Sequence, residues 1–224
     1  MFLKKNMEDC KYCQSKDITF IDFEKNINCC SNCVIHLNDC NMDNDECKYI
    51  IEYSKQMRKL WTDHIIWTRE YILSVHYNFD SSKVLNRLLT NQEDLGNFIG
   101  SFYNIEGVTE SIIKLLKEHI VDAGKIVDAV KNKKNATKLI NEWYENAKEI
   151  SQFLHDINSY NWSLKDLNNA MKKHLDDTLS EATHILTNEY EKGIEDFENI
   201  HIHILNMADL LSKGIINQFP DSFQ

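Results

Sequence analysis

The sequence predicts a mainly α protein: a six-helix bundle of three antiparallel hairpin repeats, with a small N-terminal zinc ribbon built on a short β-hairpin. Its 224 residues include six glycines and one proline, and hydrophobic types make up 42% of the chain. That composition supplies a sizeable core but too few turn residues for a many-stranded sandwich or barrel. A doubly wound nucleotide-binding fold is excluded because the chain has no glycine-rich loop. Long helices with few breaks therefore remain.

The seven cysteines divide the chain into two parts. All of them lie between Cys10 and Cys47, and none follows in the rest of the sequence. A secreted disulfide protein would rarely leave so long a segment without cross-links, so the asymmetry indicates a metal-binding module joined to a cytosolic domain. We therefore predict a zinc-ribbon-like module over 1–40, an acidic linker over 41–47 and a helical bundle over 48–224.

The first module carries two Cys-x-x-Cys pairs separated by sixteen residues. This spacing allows four thiolates to surround one zinc ion tetrahedrally. With short strands predicted at 18–21 and 27–29, the segment 8–36 resembles the zinc-ribbon family. The predicted ligands of a structural zinc are Cys10, Cys13, Cys30 and Cys33. Cys29 is an alternative ligand to Cys30, and reduced or disulfide-paired cysteines are the alternative to a metal site.

The second part contains a threefold internal repeat. His64, His119 and His174 are spaced 55 residues apart, and Asn91 and Asn146 each follow their histidine by 27 residues. Apolar residues at steps of three and four predict that each repeat is a helical hairpin. The repeats cover about 48–106, 107–160 and 161–219. Aligning the third copy on Asn206 gives it about five extra residues, and Ser81 and Ser163 are predicted helix N-caps.

Histidines and asparagines lie on the apolar stripes of these helices, which predicts a polar layer inside the bundle. In one interpretation the layer consists of hydrogen-bonded pairs that fix the helix register. In the other it is a ligand site for a second transition metal: iron, manganese or zinc. The predicted layer is His64, Asn91, His119, Asn146, His174 and His203. The carboxylates predicted nearby are Asp122, Asp177, Glu181 and Asp209. Arg69 is predicted to pair with Glu93 or Asp94.

Charge and hydropathy limit the partners. The chain has 25 basic and 35 acidic residues, a formal net charge of −10, and residues 1–47 hold five lysines against nine acidic residues. Nucleic acid is therefore disfavoured as a partner, though less firmly for the ribbon, and a protein partner is favoured. With a mean hydropathy of −0.47, no membrane span and no secretory signal, the protein is predicted to be cytoplasmic. A homodimer through helix faces bearing Trp143, Tyr144 or Trp162 is a further expectation.

Several separated blocks of the second part resemble a family of small, uncharacterised bacterial all-helical proteins. The blocks are LWTDHIIWTR (60–69), RLLTNQEDLGN (87–97), HILNMAD (203–209) and GIINQFP (214–220). The resemblance extends over about 57–223 and implies a helical bundle with recurring His, Arg, Asn and Asp, without an established activity. A composition rich in Asn, Lys and Ile suggests an AT-rich genome such as that of a large DNA virus, which would place the protein in the host cytoplasm.

The leading functional prediction is a metal-binding helical protein whose structural zinc ribbon docks a partner, and it favours a non-enzymatic role. The first alternative is a metalloenzyme with a histidine and carboxylate centre inside the bundle. The second is a transcription-linked or nucleic-acid accessory protein that acts through the ribbon. Substrate, partner and oligomeric state are left open by the sequence.

Overall fold

The computed structural model describes residues 45–224, and the side chains from Lys48 onward. The predicted zinc ribbon and its cysteines, Cys10, Cys13, Cys30 and Cys33, lie outside the described residues. The described part is mainly α and forms the predicted bundle of three hairpins, with α1 beginning inside the range predicted as a linker. The helices are α1 (Asp45–His76), α2 (Ser81–Gly100), α3 (Val108–Lys131), α4 (Thr137–Ile157), α5 (Leu164–Leu186) and α6 (Tyr190–Gln218), followed by a 3₁₀ helix (Pro220–Phe223).

The three hairpins close into a ring. α1, α3 and α5 contact one another in the centre of the bundle and run parallel, because each is the first helix of its hairpin. α2 packs between α1 and α3, α4 packs between α3 and α5, and α6 packs between α5 and α1. The first and last helices are therefore neighbours, and the inner helices surround an approximate threefold axis.

Apolar burial follows the 55-residue period. The buried positions of one inner helix recur in the other two, so the core is built in layers across the axis. Removing each of the larger aliphatic side chains from water contributes roughly 1.5–3 kcal/mol. Examples of equivalent buried sets are Met57, Ile112 and Leu167, then Trp61, Leu116 and Met171, then Ile72, Val127 and Ala182.

Prediction and structure differ at one helix cap and at the proposed dimer face. Ser163 caps α5 as predicted, its hydroxyl accepting from the Asp166 N–H at 3.4 Å. The prediction of Ser81 as a cap is wrong, because Asp80 precedes the helix in an extended conformation and accepts the Ser82 N–H. The dimer face was also predicted wrongly at its tryptophans. Trp143 and Trp162 are both buried in the core.

The three turns between paired helices share one geometry. Asn78, Lys133 and Asn188, again 55 residues apart, have positive φ angles of 56°, 54° and 67°. In each turn the following N–H donates to a carbonyl five residues earlier, at 2.7–2.8 Å. This is the Schellman arrangement that satisfies the last carbonyls of a helix. The repeat therefore extends to the backbone of its turns.

Replacing Lys133 with glycine is expected to stabilise the protein by about 1 kcal/mol. A left-handed conformation costs an L-residue roughly 1–2 kcal/mol, and glycine adopts it without that cost. Urea unfolding of the Lys133→Gly variant measures the gain. Lys134→Gly is the matched control, because Lys134 has no positive φ and should gain nothing. Equal effects of the two substitutions would contradict the assignment.

Candidate functional site

Three histidines lie buried where the inner helices meet. His64 on α1, His119 on α3 and His174 on α5 are only 3%, 5% and 3% exposed. The Nε2 atoms of His64 and His174 are 3.4 Å apart, and the rings of His119 and His174 are stacked with centroids 6.5 Å apart. Burial lowers the pKa of His64 to about 3 and that of His119 to about 4, and holds the pKa of His174 well below its usual range. All three imidazoles are therefore neutral at pH 7.

A chain of amides sets the tautomer of His64. Asn91 donates through Nδ2 to the carbonyl of Leu60 at 3.0 Å, so its Oδ1 is the acceptor for Gln92 Nε2, also at 3.0 Å. The same Gln92 nitrogen faces Nδ1 of His64 at 3.2 Å. The two hydrogens of this amide are shared among Asn91 Oδ1, the carbonyl of Leu88 and His64 Nδ1. An amide nitrogen cannot accept, so Nδ1 of His64 carries no proton and the proton is on Nε2. His64 Nε2–H then donates to His174 Nε2, which leaves the proton of His174 on Nδ1.

His119 has the opposite tautomer. Asn146 donates through Nδ2 to the carbonyl of Leu115 at 3.3 Å, so its Oδ1 accepts from His119 Nδ1 at 2.8 Å. The indole of Trp143 stacks on the imidazole and donates to the His119 carbonyl at 3.1 Å. Nε2 of His119 therefore carries a lone pair, and it has no hydrogen-bond partner among the described residues. Nδ1 of His174 is buried without a partner in the same sense.

His203 takes the place of the asparagine in the third repeat. Asn91 and Asn146 both donate to the carbonyl four residues before the histidine of their repeat. His203 Nε2 donates at 2.8 Å to the corresponding carbonyl, that of Ala170. Asn206, which the sequence aligned with the two asparagines, is exposed. That alignment is wrong, because the hydrogen-bond register makes the third repeat longer by two residues rather than about five.

A buried ion pair lies near the axis beyond the histidines. Glu181 of α5 is 1% exposed and pairs with Arg69 of α1. Arg69 also donates to the carbonyl of Gly193 at 3.0 Å and lies over the ring of Phe197. Desolvation raises the pKa of Glu181 to about 7, and the neighbouring guanidinium opposes that shift without cancelling it. The pair connects α1, α5 and α6 at the point where the ring closes.

The predicted partners of Arg69 are wrong. Glu93 pairs with Lys117, and Asp94 pairs with Arg87. The carboxylates predicted near the histidines also have other partners. Asp122 pairs with Lys125, Asp177 with Lys173, Glu181 with Arg69 and Asp209 with Arg58. The histidine layer is thus composed of imidazoles and amides, and its chemistry is that of neutral nitrogen donors.

Gln92 is the residue of the layer that the sequence did not predict. It is fully buried and contacts His64 directly, whereas the equivalent positions in the other repeats are occupied by Ala147 and Ile204, which are also buried. Once the repeats are aligned, a polar residue at a position that is otherwise apolar is a signal that finds it. The predicted residues His64, His119 and His174 do come together, and Asn91, Asn146 and His203 surround them.

An open groove on the surface reaches the layer at one point. It lies between α3 and α4, has a volume of about 930 Å³ and is lined mainly by charged side chains. Asn146, the acceptor of His119, is among its lining residues. Within residues 48–224, no group of three or more His, Cys, Asp or Glu side chains is arranged to hold a metal ion in this conformation.

Comparison with protein families, with curated proteins and with solved structures finds no match to this chain. The resemblance of residues 57–223 to a bacterial helical family therefore stays a prediction. Between residues 45 and 224, none of the helices combines the length and the apolar character needed to cross a bilayer.

Proposed function

We propose that this protein binds one transition metal ion in the centre of its bundle, with His64, His119 and His174 as ligands. The observation that carries the proposal is that each repeat contributes one buried, neutral imidazole to the same point on the axis. Neutral imidazole is the form that coordinates a metal, and it is the commonest metal-binding side chain in proteins.

The distance between His64 and His174 fits shared coordination. Two nitrogens bound to one tetrahedral zinc at 2.0–2.1 Å lie about 3.3–3.4 Å apart, and the two Nε2 atoms are 3.4 Å apart. His119 also has the outer hydrogen bond that a ligating histidine needs, because its other nitrogen, Nδ1, already donates to Asn146. Such an outer hydrogen bond orients a ligating histidine and directs its lone pair.

Metal binding requires two changes in the layer. The ring of His119 must approach His174, since their centroids are 6.5 Å apart, against 5.5 Å for His64 and His174. His64 must also change tautomer, because its Nε2 lone pair is needed for the metal. The proton would move to Nδ1, and the Gln92 amide that faces Nδ1 would have to turn its oxygen toward the ring. With imidazole nitrogens as the donors, zinc or iron is favoured over manganese, which prefers oxygen ligands. The groove at Asn146 offers the ion its approach from solvent.

Metal titration of the full-length protein tests the site. We expect two equivalents per chain, one held by the ribbon cysteines and one by the bundle. The His64→Leu/His119→Leu/His174→Leu variant should lose the second equivalent, while serine at the four predicted cysteine ligands should remove the first. Cobalt distinguishes the two sites in the unaltered chain, because only thiolate ligation gives intense near-ultraviolet charge-transfer bands. A chain with no equivalent beyond the thiolate site contradicts the proposal.

Asn146→Leu is expected to weaken metal binding at the bundle site by roughly 10- to 100-fold, the range for loss of an outer-shell partner. Ser151→Ala is the control at another buried polar residue of α4. The Ser151 hydroxyl donates to the carbonyl of Ala147, whereas Asn146 contacts an imidazole. Affinities are compared by competition with a chelator of known strength, with circular dichroism to verify that each variant is folded. Equal losses in both variants would mean that Asn146 acts on stability rather than on His119.

The N-terminal ribbon is proposed to hold a structural zinc and to dock a protein partner. The support is the four-cysteine spacing and the acidic balance of residues 1–47, which disfavours phosphate contacts. Binding to DNA or RNA at low salt that disappears at high salt would overturn the protein-docking assignment. If serine at all four predicted ligands leaves the binding of a protein partner unchanged, the ribbon is not the docking module.

A further inference from the structure

A small cavity lies directly beside the histidine layer, on the axis of the bundle. Its volume is about 30 Å³. The residue four positions after each histidine lines it, so the same helical turn of all three inner helices forms its wall. These residues are Thr68, Ala123 and Thr178. The indole of Trp143, which stacks on His119, lines it too.

The cavity exists because small side chains follow the histidines. Ala123, Gly124 and Ala182 occupy positions where a larger residue would extend into the space. A Cβ added at Gly124 would lie 3.3 Å from the hydroxyl oxygen of Tyr71, so this glycine leaves room for the tyrosine. Most of the other lining side chains are aliphatic, including Ile72, Leu88 and Val127.

One buried hydroxyl in this apolar wall has no hydrogen-bond partner among the described residues. Thr68 donates to the carbonyl of His64 at 2.8 Å, which is the usual bond for a threonine inside a helix. Thr178 occupies the equivalent position, yet its Oγ1 is buried and makes no hydrogen bond among the described residues. Leaving a buried hydroxyl unsatisfied costs roughly 1–3 kcal/mol. The oxygen is therefore available to a molecule in the cavity.

The size and chemistry of the space select its occupant. A water molecule needs about 10–15 Å³ and two to four polar partners. The volume is sufficient for water, but the threonine wall offers a single unpartnered hydroxyl. Apolar cavities of this kind stay dry and admit small apolar molecules.

We propose that this cavity binds one neutral diatomic molecule, such as dioxygen, against the Thr178 hydroxyl. The cavity lies one helical turn beyond the imidazoles, and none of the three histidines is among its lining residues. A molecule held there would be a neighbour of the proposed metal site rather than a ligand of the metal. That relation rests on the proposed metal site, whereas occupancy of the cavity does not.

Nuclear magnetic resonance of the metal-free, full-length protein under oxygen pressure tests the cavity. Dissolved dioxygen is paramagnetic, so it accelerates the relaxation of methyl groups that it contacts. We expect the methyl protons of Ile72, Leu88 and Val127 to relax several-fold faster than those of Leu95. Leu95 is the matched reference because it is fully buried but does not line the cavity.

Two variants test whether the cavity is the site that dioxygen occupies. Ala182→Val adds two methyl groups at the wall and should reduce the oxygen effect at Ile72 by at least half. Thr178→Val keeps the shape of the side chain, so it should retain xenon binding under pressure and tests the cavity if Ala182→Val does not fold. Equal relaxation at Ile72 and Leu95, or a direct water contact to the Ile72 methyl groups, overturns the proposal. Because no metal is present, failure here leaves the metal titration unaffected.

Discussion

Lowering the pH from 7.5 to 4.5 is expected to reduce the free energy of unfolding of the metal-free protein by at least about 2 kcal/mol. The buried histidines cause the loss. Their pKa is about 3 for His64 and about 4 for His119, and lies well below the usual range for His174. An unfolded chain titrates near pH 6.5, so below that pH it takes up protons that the folded chain refuses. The contribution is complete above pH 6.5 and is lost as the pH falls toward the folded values.

His64 and His119 each contribute about 1.4 kcal/mol per pH unit in this window, or about 5 kcal/mol together over two units, and His174 adds to the loss in the same direction. Glu181 acts in the opposite direction. Burial raises its pKa from 4.5 to about 7, so its contribution is complete below pH 4.5 and is lost as the pH rises through 7. On acidification, Glu181 therefore increases the free energy of unfolding by about 3 kcal/mol. The histidines outnumber it, and the net effect is destabilisation by acid.

Urea unfolding at several pH values measures how steeply the free energy of unfolding changes with pH, and this slope reports the number of protons bound on unfolding. His174→Leu should lower the slope between pH 6 and 5 by about one proton relative to the unaltered protein. His201→Leu is the control, because His201 is exposed on α6. A slope that is the same in His174→Leu and in the unaltered protein would show that the layer is not the origin of the acid sensitivity. His64→Leu gives the same test from another helix.

The helical hairpins and the convergence of the histidines could be predicted because both depend on local periods. A 3.6-residue pattern defines each helix, and a 55-residue period places His64, His119 and His174 at one level. The register of the third repeat could not be predicted in the same way. The turn at Asn188 keeps the period of Asn78 and Lys133, so the two extra residues lie between that turn and His203.

Contacts that form where the last hairpin packs against the first could not be predicted from the sequence either. Arg69 was paired with carboxylates of its own hairpin, because sequence neighbours are the natural candidates. In the structure α1 packs against α6 and α5 as well, which brings Arg69 to Glu181 and Gly193. Nothing in the periodicity of a single helix states which later helix will lie beside it. Gln92 was not predicted as part of the layer for a related reason. Only the comparison of aligned repeats identifies its position as one that is otherwise apolar.

Gly214→Ala is expected to destabilise the protein by about 3 kcal/mol, at the upper end of the range for overpacking a core. Gly214 of α6 is in contact with Trp162, which is fully buried. A Cβ at this position would lie 2.6 Å from Cδ1 of the indole and closer still to Nε1 and Cε2. The ring cannot easily retreat, because Nε1 donates to the carbonyl of Leu210 at 3.2 Å. The Gly214 carbonyl is also held, as the acceptor of Asn158 at 3.0 Å.

Gly193→Ala on the same helix is the matched control. Its Cβ would lie 3.1 Å from Cγ1 of Ile185, a contact that a shift of a few tenths of an ångström relieves. A helical alanine gains up to about 1 kcal/mol over glycine, so the net change should stay within about 1 kcal/mol of zero. Combining Gly214→Ala with Trp162→Leu should cost less than the sum of the two single changes, because the smaller side chain removes the clash. Additive losses in that cycle would mean that the indole is not what requires glycine at position 214.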